Sequence, residues 1–204
     1  MDSVSKQRVL LATRNAGKVR ELVRLLADES VEVVSLADFP HAPDTVEDGA
    51  TMADNAAKKA REASLATGLL TVADDSGLEV DFLAGAPGVM SNRFMGRETT
   101  EAERNAEILR LLSGVPPERR TCRFRCAVAL ARDGQLIGSA EDTCEGRLAE
   151  GPRGGDGFGY DPLFYLPDRG CTVAELSADE KNAVSHRGKA MRKAVAALRD
   201  LLKG

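Results

Sequence analysis

The stretch Val9-Leu10-Leu11-Ala12-Thr13-Arg14-Asn15-Ala16-Gly17-Lys18-Val19-Arg20-Glu21-Leu22 decides the fold class. Its apolar run has strand length and breaks at Thr13; beyond it the spacing Val19, Leu22, Val23, Leu26 places apolar side chains on one helix face. The pattern predicts a strand over 8–12 and a helix over about 18–28, joined by a short turn. Such a turn leaves backbone N–H groups without helical partners, and the helix dipole favours negative charge there. Thr13, Arg14, Asn15, Ala16, Gly17 and Lys18 therefore suit a phosphate. The same residues also read as an ordinary helix start, with Thr13 or Asn15 as the cap and Lys18 in solvent.

Further along, the sequence predicts strands at 31–35, 69–73, 78–82, 121–131 and 135–144, and helices at 50–66, 100–113 and 187–202. Thr100-Glu101-Ala102-Glu103 has the form of a capping box. In the last helix Met191, Ala194, Val195, Leu198 and Leu202 share a face. Cys122, Phe124, Cys126, Val128 and Leu130 alternate with Arg123, Arg125, Ala127 and Ala129, the period of a strand with one strongly apolar face. Asp133-Gly134 supplies a hairpin turn after it, and Gly138 weakens the strand pattern beyond. Early strand-helix alternation followed by a hairpin predicts an α/β protein: a mixed central sheet, with parallel and antiparallel pairs, flanked by helices.

At 204 residues the chain suits one domain, 1–204, able to bury a core and fold by itself; it shows no repeat, low-complexity tract or linker. Hydrophobic residues at 43% and charged residues at 29% fit a globular protein, and no apolar stretch reaches membrane length. The segment Met1 to Arg8 lacks a secretory signal, so a cytoplasmic location is expected. A net charge of −4 argues against a general nucleic-acid binder, though not against a small nucleotide in a cleft. Cys122, Cys126, Cys144 and Cys171 form no CxxC pair, and His41 and His186 are the only histidines, which disfavours a structural zinc. Cys122 and Cys126, on one strand, would stand about 13 Å apart, beyond disulfide reach.

Gly17-Lys18 is not a Walker A loop, because the earlier Gly is missing and Val19 follows where Ser or Thr is required. The glycines of Gly154-Gly155-Asp156-Gly157-Phe158-Gly159 lack the spacing of a dinucleotide fingerprint. Two acidic pairs are more informative. Glu47-Asp48-Gly49 precedes a predicted helix, and Asp74-Asp75-Ser76-Gly77 follows an apolar run; carboxylates so placed can converge to bind Mg²⁺ and to activate water. Each alone also reads as cap or turn chemistry. In Gly157-Phe158-Gly159-Tyr160-Asp161 the glycines allow close approach, Phe158 and Tyr160 offer flat faces to a base, and Asp161 offers an acceptor. In a chain with six Phe, two Tyr and no Trp this density stands out, although a loop pinned to the core by its aromatics would look alike. Ser185-His186-Arg187-Gly188 precedes the final helix, with Ser185 a candidate cap; His186, Arg187 and Lys181 could donate to base carbonyls or phosphate, or stand in solvent.

On these residues the chain resembles the inosine triphosphate pyrophosphatase (HAM1-like) family. The matching motifs are Thr13 to Lys18, Glu47-Asp48-Gly49-Ala50-Thr51, Ala73-Asp74-Asp75-Ser76-Gly77-Leu78, Gly85-Ala86-Pro87-Gly88-Val89, Gly157-Phe158-Gly159-Tyr160-Asp161-Pro162 and Ser185-His186-Arg187-Gly188, an ordered set spanning nearly the whole chain. Met52 departs from it, standing where an aromatic is frequent. The resemblance implies two lobes with a nucleotide cleft between them, and Mg²⁺-dependent hydrolysis of ITP, dITP or XTP to monophosphate and pyrophosphate by a cytoplasmic homodimer. It further implies that Thr13 to Lys18 cradle the triphosphate, that Glu47 and Asp75 hold metal, and that Asp75 accepts the proton. Ser76 would touch substrate, and Phe158, Gly159, Tyr160, Asp161, Lys181, His186 and Arg187 would shape the base end. The alternatives are a Maf-type pyrophosphatase acting on pyrimidine or modified nucleotides, and a nucleotide-binding regulator without catalysis. Kinase signatures are missing.

Overall fold

The computed structural model describes residues 7–25, 31–96 and 99–203. Seven strands form one sheet in the order β2-β1-β3-β4-β5-β6-β7: β1 Gln7–Leu11, β2 Val31–Ser35, β3 Leu70–Val80, β4 Thr121–Arg132, β5 Gln135–Leu148, β6 Phe164–Leu166 and β7 Cys171–Thr172. The helices are α1 Ala16–Leu25, α2 Met52–Thr67, α3 Glu101–Leu111, α4 Ala178–Val184 and α5 His186–Lys203. β1 pairs in parallel with β2 (Val9 opposite Val33) and β3 (Val9 opposite Leu70), whereas β5–β6 and β6–β7 are antiparallel. The sheet is mixed, as the sequence predicts. Asp133 and Gly134, at φ 50° and 74°, form the two-residue turn between β4 and β5, a conformation that Asp-Gly tolerates well.

The largest departure from the sequence pattern is β3. Asp74-Asp75-Ser76-Gly77 reads as a turn between two short strands, yet the strand runs unbroken from Leu70 to Val80. Its polar side chains have partners: Lys18 for Asp74, Asn55 for Asp75 and Arg187 for Ser76. β5 likewise continues past Gly138 to Leu148. The short β6, β7 and α4 have no counterpart among the sequence predictions. The first helix starts at Ala16, and its expected continuation over 26–28, with Leu26, lies outside the described residues. Val23 is 45% exposed, so Leu22 and the partly buried Val19 and Leu25 form the inner face of α1 instead. The side chain of Leu202 is outside the described set as well.

The chain divides into two compact units. The first comprises residues 1–75, 126–141 and 190–204. Its core joins Val9 and Leu11 of β1, Leu22 of α1, Leu70 and Val72 of β3, Val128 and Leu130 of β4, and Met191, Val195 and Leu198 of α5. Here both faces of β4 are covered, which is why Ala127 and Ala129 are as buried as their apolar neighbours. The second unit comprises residues 76–125 and 142–189. Leu78, Ile108, Leu112, Phe124, Tyr160, Leu163 and Phe164 form its core. In that unit the other face of β4 carries Arg123 and Arg125, bound to Glu79, Asp81 and Glu145, so the expected alternation holds there.

Candidate functional site

In the first unit an acidic group converges on two lysines. α2 begins at Thr51, whose hydroxyl accepts from the Asp54 N–H while the Asp54 carboxylate accepts from Thr51, a reciprocal cap. One turn on, the side chain of fully buried Asn55 accepts from the Gly49 N–H at 2.8 Å and donates to Asp75 at 2.9 Å. It thereby ties the loop carrying Glu47 to β3. A Cβ on Gly49 would lie 2.7 Å from the Asn55 side-chain oxygen, so this close approach needs glycine. Four residues after Asn55, and so on the same helix face, Lys59 places its ammonium 2.6 Å from Glu47 and 3.9 Å from Asp75. Asp48 turns outward, 66% exposed, to Lys58.

Burial has the largest influence on Asp75 and raises its carboxyl above the usual carboxylate range, against the opposing Lys59 charge and Asn55 hydrogen bond. For Lys59 burial alone would weaken the ammonium, but the charges of Asp74, Asp75 and Glu47 prevail and its pKa is raised. Asp75 is thus a stronger base than a solvated carboxylate, beside a firmly protonated lysine.

In the turn before α1, Asn15 is the cap: its side-chain oxygen accepts from the N–H of Gly17 at 2.8 Å and of Lys18 at 3.3 Å. Thr13 accepts from the Asn15 N–H. The cap reading thus falls to Asn15, whereas Lys18 is not left in solvent; it reaches Asp74 at 2.8 Å, with 15% and 1% of the two side chains exposed. Arg14 braces the segment after β2, donating to Asp44 and to the carbonyls of Leu36 and Ala42. Ala16 is the first residue of α1.

In the second unit α4, the start of α5 and the Gly157–Asp161 loop meet. Ser177 and Glu180 form the capping box that starts α4, which positions Lys181 one turn in. Lys181 donates to Asp161 at 2.7 Å, and the same Asp161 oxygen accepts from the Phe158 N–H at 2.9 Å. Gly157, at φ 87°, is required: a Cβ there would fall 2.3 Å from that oxygen. The Phe158 ring lies below two cations, the Lys181 ammonium at 4.4 Å and the Arg187 guanidinium at 5.3 Å. Arg187 also donates to the Ser76 hydroxyl at 2.8 Å. His186 stacks on Phe124, with centroids 4.7 Å apart, and Phe124 stacks on Phe164. Tyr160 belongs to the core of this unit, its hydroxyl donating to the Ser91 carbonyl, so Phe158 is the aromatic face at the site.

Within the first unit the structure unites Lys18, Glu47 and Asp75; within the second it unites Ser76, Phe158, Asp161, Lys181 and Arg187, with His186 in the adjoining turn. Asn55 and Lys59 are additions. Their signal is the i, i+4 spacing, but in Asn55-Ala56-Ala57-Lys58-Lys59 a lysine reads as part of a solvated face. Among the described residues no three His, Cys, Asp or Glu side chains form a ready metal cage. Two carboxylates nonetheless fit Mg²⁺, which takes one or two protein oxygens alongside substrate phosphates. The Lys59 ammonium faces both carboxylates, at 2.6 Å from Glu47 and 3.9 Å from Asp75, and offsets one of their two negative charges.

The sequence profile of the Ham1 family matches residues 9–197. Among curated proteins, a dITP/XTP pyrophosphatase of Geobacillus kaustophilus is 54% identical, covering 91% of this chain and 91% of its own. One of Desulforamulus reducens is 51% identical over 95% of this chain and 96% of its own. Among solved structures, a HAM1 protein from Coxiella burnetii superposes with a TM-score of 0.87 at 40% identity, covering 95% of this chain and 99% of its own. A nucleoside-triphosphatase / dITP/XTP pyrophosphatase from Mycobacterium abscessus gives 0.74 at 46% identity, covering 94% and 98%.

Proposed function

The chain belongs to the Ham1 family, and from that premise we propose that it hydrolyses non-standard purine nucleoside triphosphates, namely dITP, ITP and XTP, to the monophosphate and pyrophosphate. This would clear them from the nucleotide pool before they enter DNA or RNA. The observation that carries the proposal is the partly buried convergence of Glu47, Asp75 and Lys59, with the Lys18–Asp74 pair in the same unit. Such a group has the charges that an anhydride cleavage needs.

Glu47 and Asp75 would hold Mg²⁺, which supplies positive charge to the phosphates when bound. Lys18 and Lys59 add charge to the same end, and the α1 N-terminus with Thr13 to Lys18 favours the triphosphate. Asp75, basic for a carboxylate, takes the proton from the attacking water. The chain contributes positioning and electrostatics rather than a covalent intermediate.

The second unit's residues are assigned to the base. Phe158 offers the stacking face, while Lys181, His186 and Arg187 present donors suited to the 6-oxo group of hypoxanthine or xanthine. Adenine carries an amino donor there, and a polar mismatch of this kind can discriminate by about 10⁴-fold. Guanine shares the 6-oxo group, so its rejection belongs to the 2-amino side. Mg²⁺ dependence, a homodimer and a cytoplasmic location are part of the proposal, supported by the motif resemblance.

With Mg²⁺, the purified protein should release pyrophosphate from ITP and XTP far faster than from ATP or GTP, and a chelator should abolish it. Equal turnover of all four removes the assignment. Preference for UTP over ITP would favour a Maf-type enzyme, and nucleotide recovered intact would favour a regulator.

A further inference from the structure

We infer that Asn105, on α3, is a positioning residue for base selection, although it belongs to none of the motifs above. This rests on the proposed activity and deepens it. The Asn105 amide donates to the carbonyl of Gly159 at 3.0 Å across 54 residues of sequence. Gly159 lies between Phe158, the stacking face, and Tyr160, the core anchor, and its φ is 64°. Gly157 is also in the left-handed region, at 87°. With a glycine on either side, the backbone around Phe158 has little conformational stiffness of its own.

The loop is fastened at its other points by residues of the second unit. Asp161 accepts from the Phe158 N–H and from Lys181, and Tyr160 reaches Ser91. Of the two carbonyls between ring and anchor, that of Phe158 accepts from the Asp161 N–H at 3.3 Å, and Asn105 ties that of Gly159. Because the peptide is planar, holding that carbonyl also fixes the plane shared with Tyr160.

The energetics of Asn105 favour positioning over stability. Its side-chain oxygen is buried with no hydrogen-bond partner. An orphaned buried acceptor costs about as much as one good hydrogen bond returns, so the residue gains the fold little net. What it does achieve is direction: α3, itself started by the Thr100–Glu103 capping box and anchored by fully buried Ile108 and Leu112, holds the recognition loop in one register.

The test compares Asn105→Ala and Asn105→Asp with the unaltered protein on ITP, GTP and a base-free substrate, ribose 5-triphosphate, with Mg²⁺. Asp keeps the shape and lacks the N–H donor. Both variants should lose about tenfold in kcat/KM for ITP, the equivalent of one directed hydrogen bond, and the ITP-to-GTP preference should narrow. Their turnover of ribose 5-triphosphate should stay at the unaltered level. Unchanged selectivity in Asn105→Asp would overturn the inference, as would an equal fall on all three substrates, which marks a merely structural role. If the unaltered protein itself shows no ITP preference, it is the proposed function that fails.

Discussion

Asp75 is buried, hydrogen-bonded to Asn55 and close to Lys59, and its carboxyl is still harder to ionise than a solvated one. An acid raised in this way contributes stability when protonated. That contribution is complete below the unfolded value of about 3.9 and is lost as pH rises through the folded value. At neutral pH the metal-free ionised carboxylate therefore costs stability, as expected of a group placed for chemistry. Asp75→Asn removes the charge and keeps an oxygen for Asn55. Its turnover should fall at least about 100-fold, nucleotide binding should persist, and the metal-free Tm at pH 7 should not drop. Rate assays, equilibrium binding and a thermal melt check the three parts, and near-normal turnover would mean the base lies elsewhere. The sequence displayed Asp75, Glu47 and Lys18 because acidic pairs and a strand-to-helix turn are local patterns. Lys59 was hidden by Lys58 beside it, and only the tertiary placement of Glu47 distinguishes the two.

The α4–α5 junction shows how an element sets a residue's direction. The Ser185 hydroxyl accepts from the Gly188 N–H, and the Ser185 N–H closes α4 on the Lys181 carbonyl. A Cβ on Gly188 would stand 2.0 Å from the Asn182 carbonyl oxygen, a contact that only movement of one helix start can relieve. Gly188→Ala gains helix propensity of about 1 kcal/mol, but overpacking against backbone costs about 1–3 kcal/mol. The clash should prevail, lowering Tm and raising KM for ITP as His186 and Arg187 are displaced; an unchanged KM would show that the junction tolerates the shift. Elements with local punctuation were readable: the Thr100–Glu103 box starts α3, and Asp133-Gly134 turns β4 into β5. β3 was not, because its polar centre is stabilised by partners distant in sequence. Three-residue β6 and two-residue β7 are too short to show a period.

Both units are assembled from segments far apart along the chain. The alternation of strand and helix sufficed for a mixed α/β sheet, whereas the partition into units depends on contacts that no local pattern records. In the first unit Leu198, 1% exposed, packs in one cluster with Val9 and Leu11. Leu198→Ala should cost about 2–5 kcal/mol, read as a lower urea midpoint. A change below about 1 kcal/mol would mean that the end of α5 is dispensable to this core. The same closure governs biosynthesis. Val9 and Leu11 leave the ribosome roughly 180 residues before Met191, Val195 and Leu198, which at typical elongation rates is on the order of ten to forty seconds. Throughout that interval the nascent first strand lacks its final cover, so slower translation prolongs the window in which chaperones must shield it.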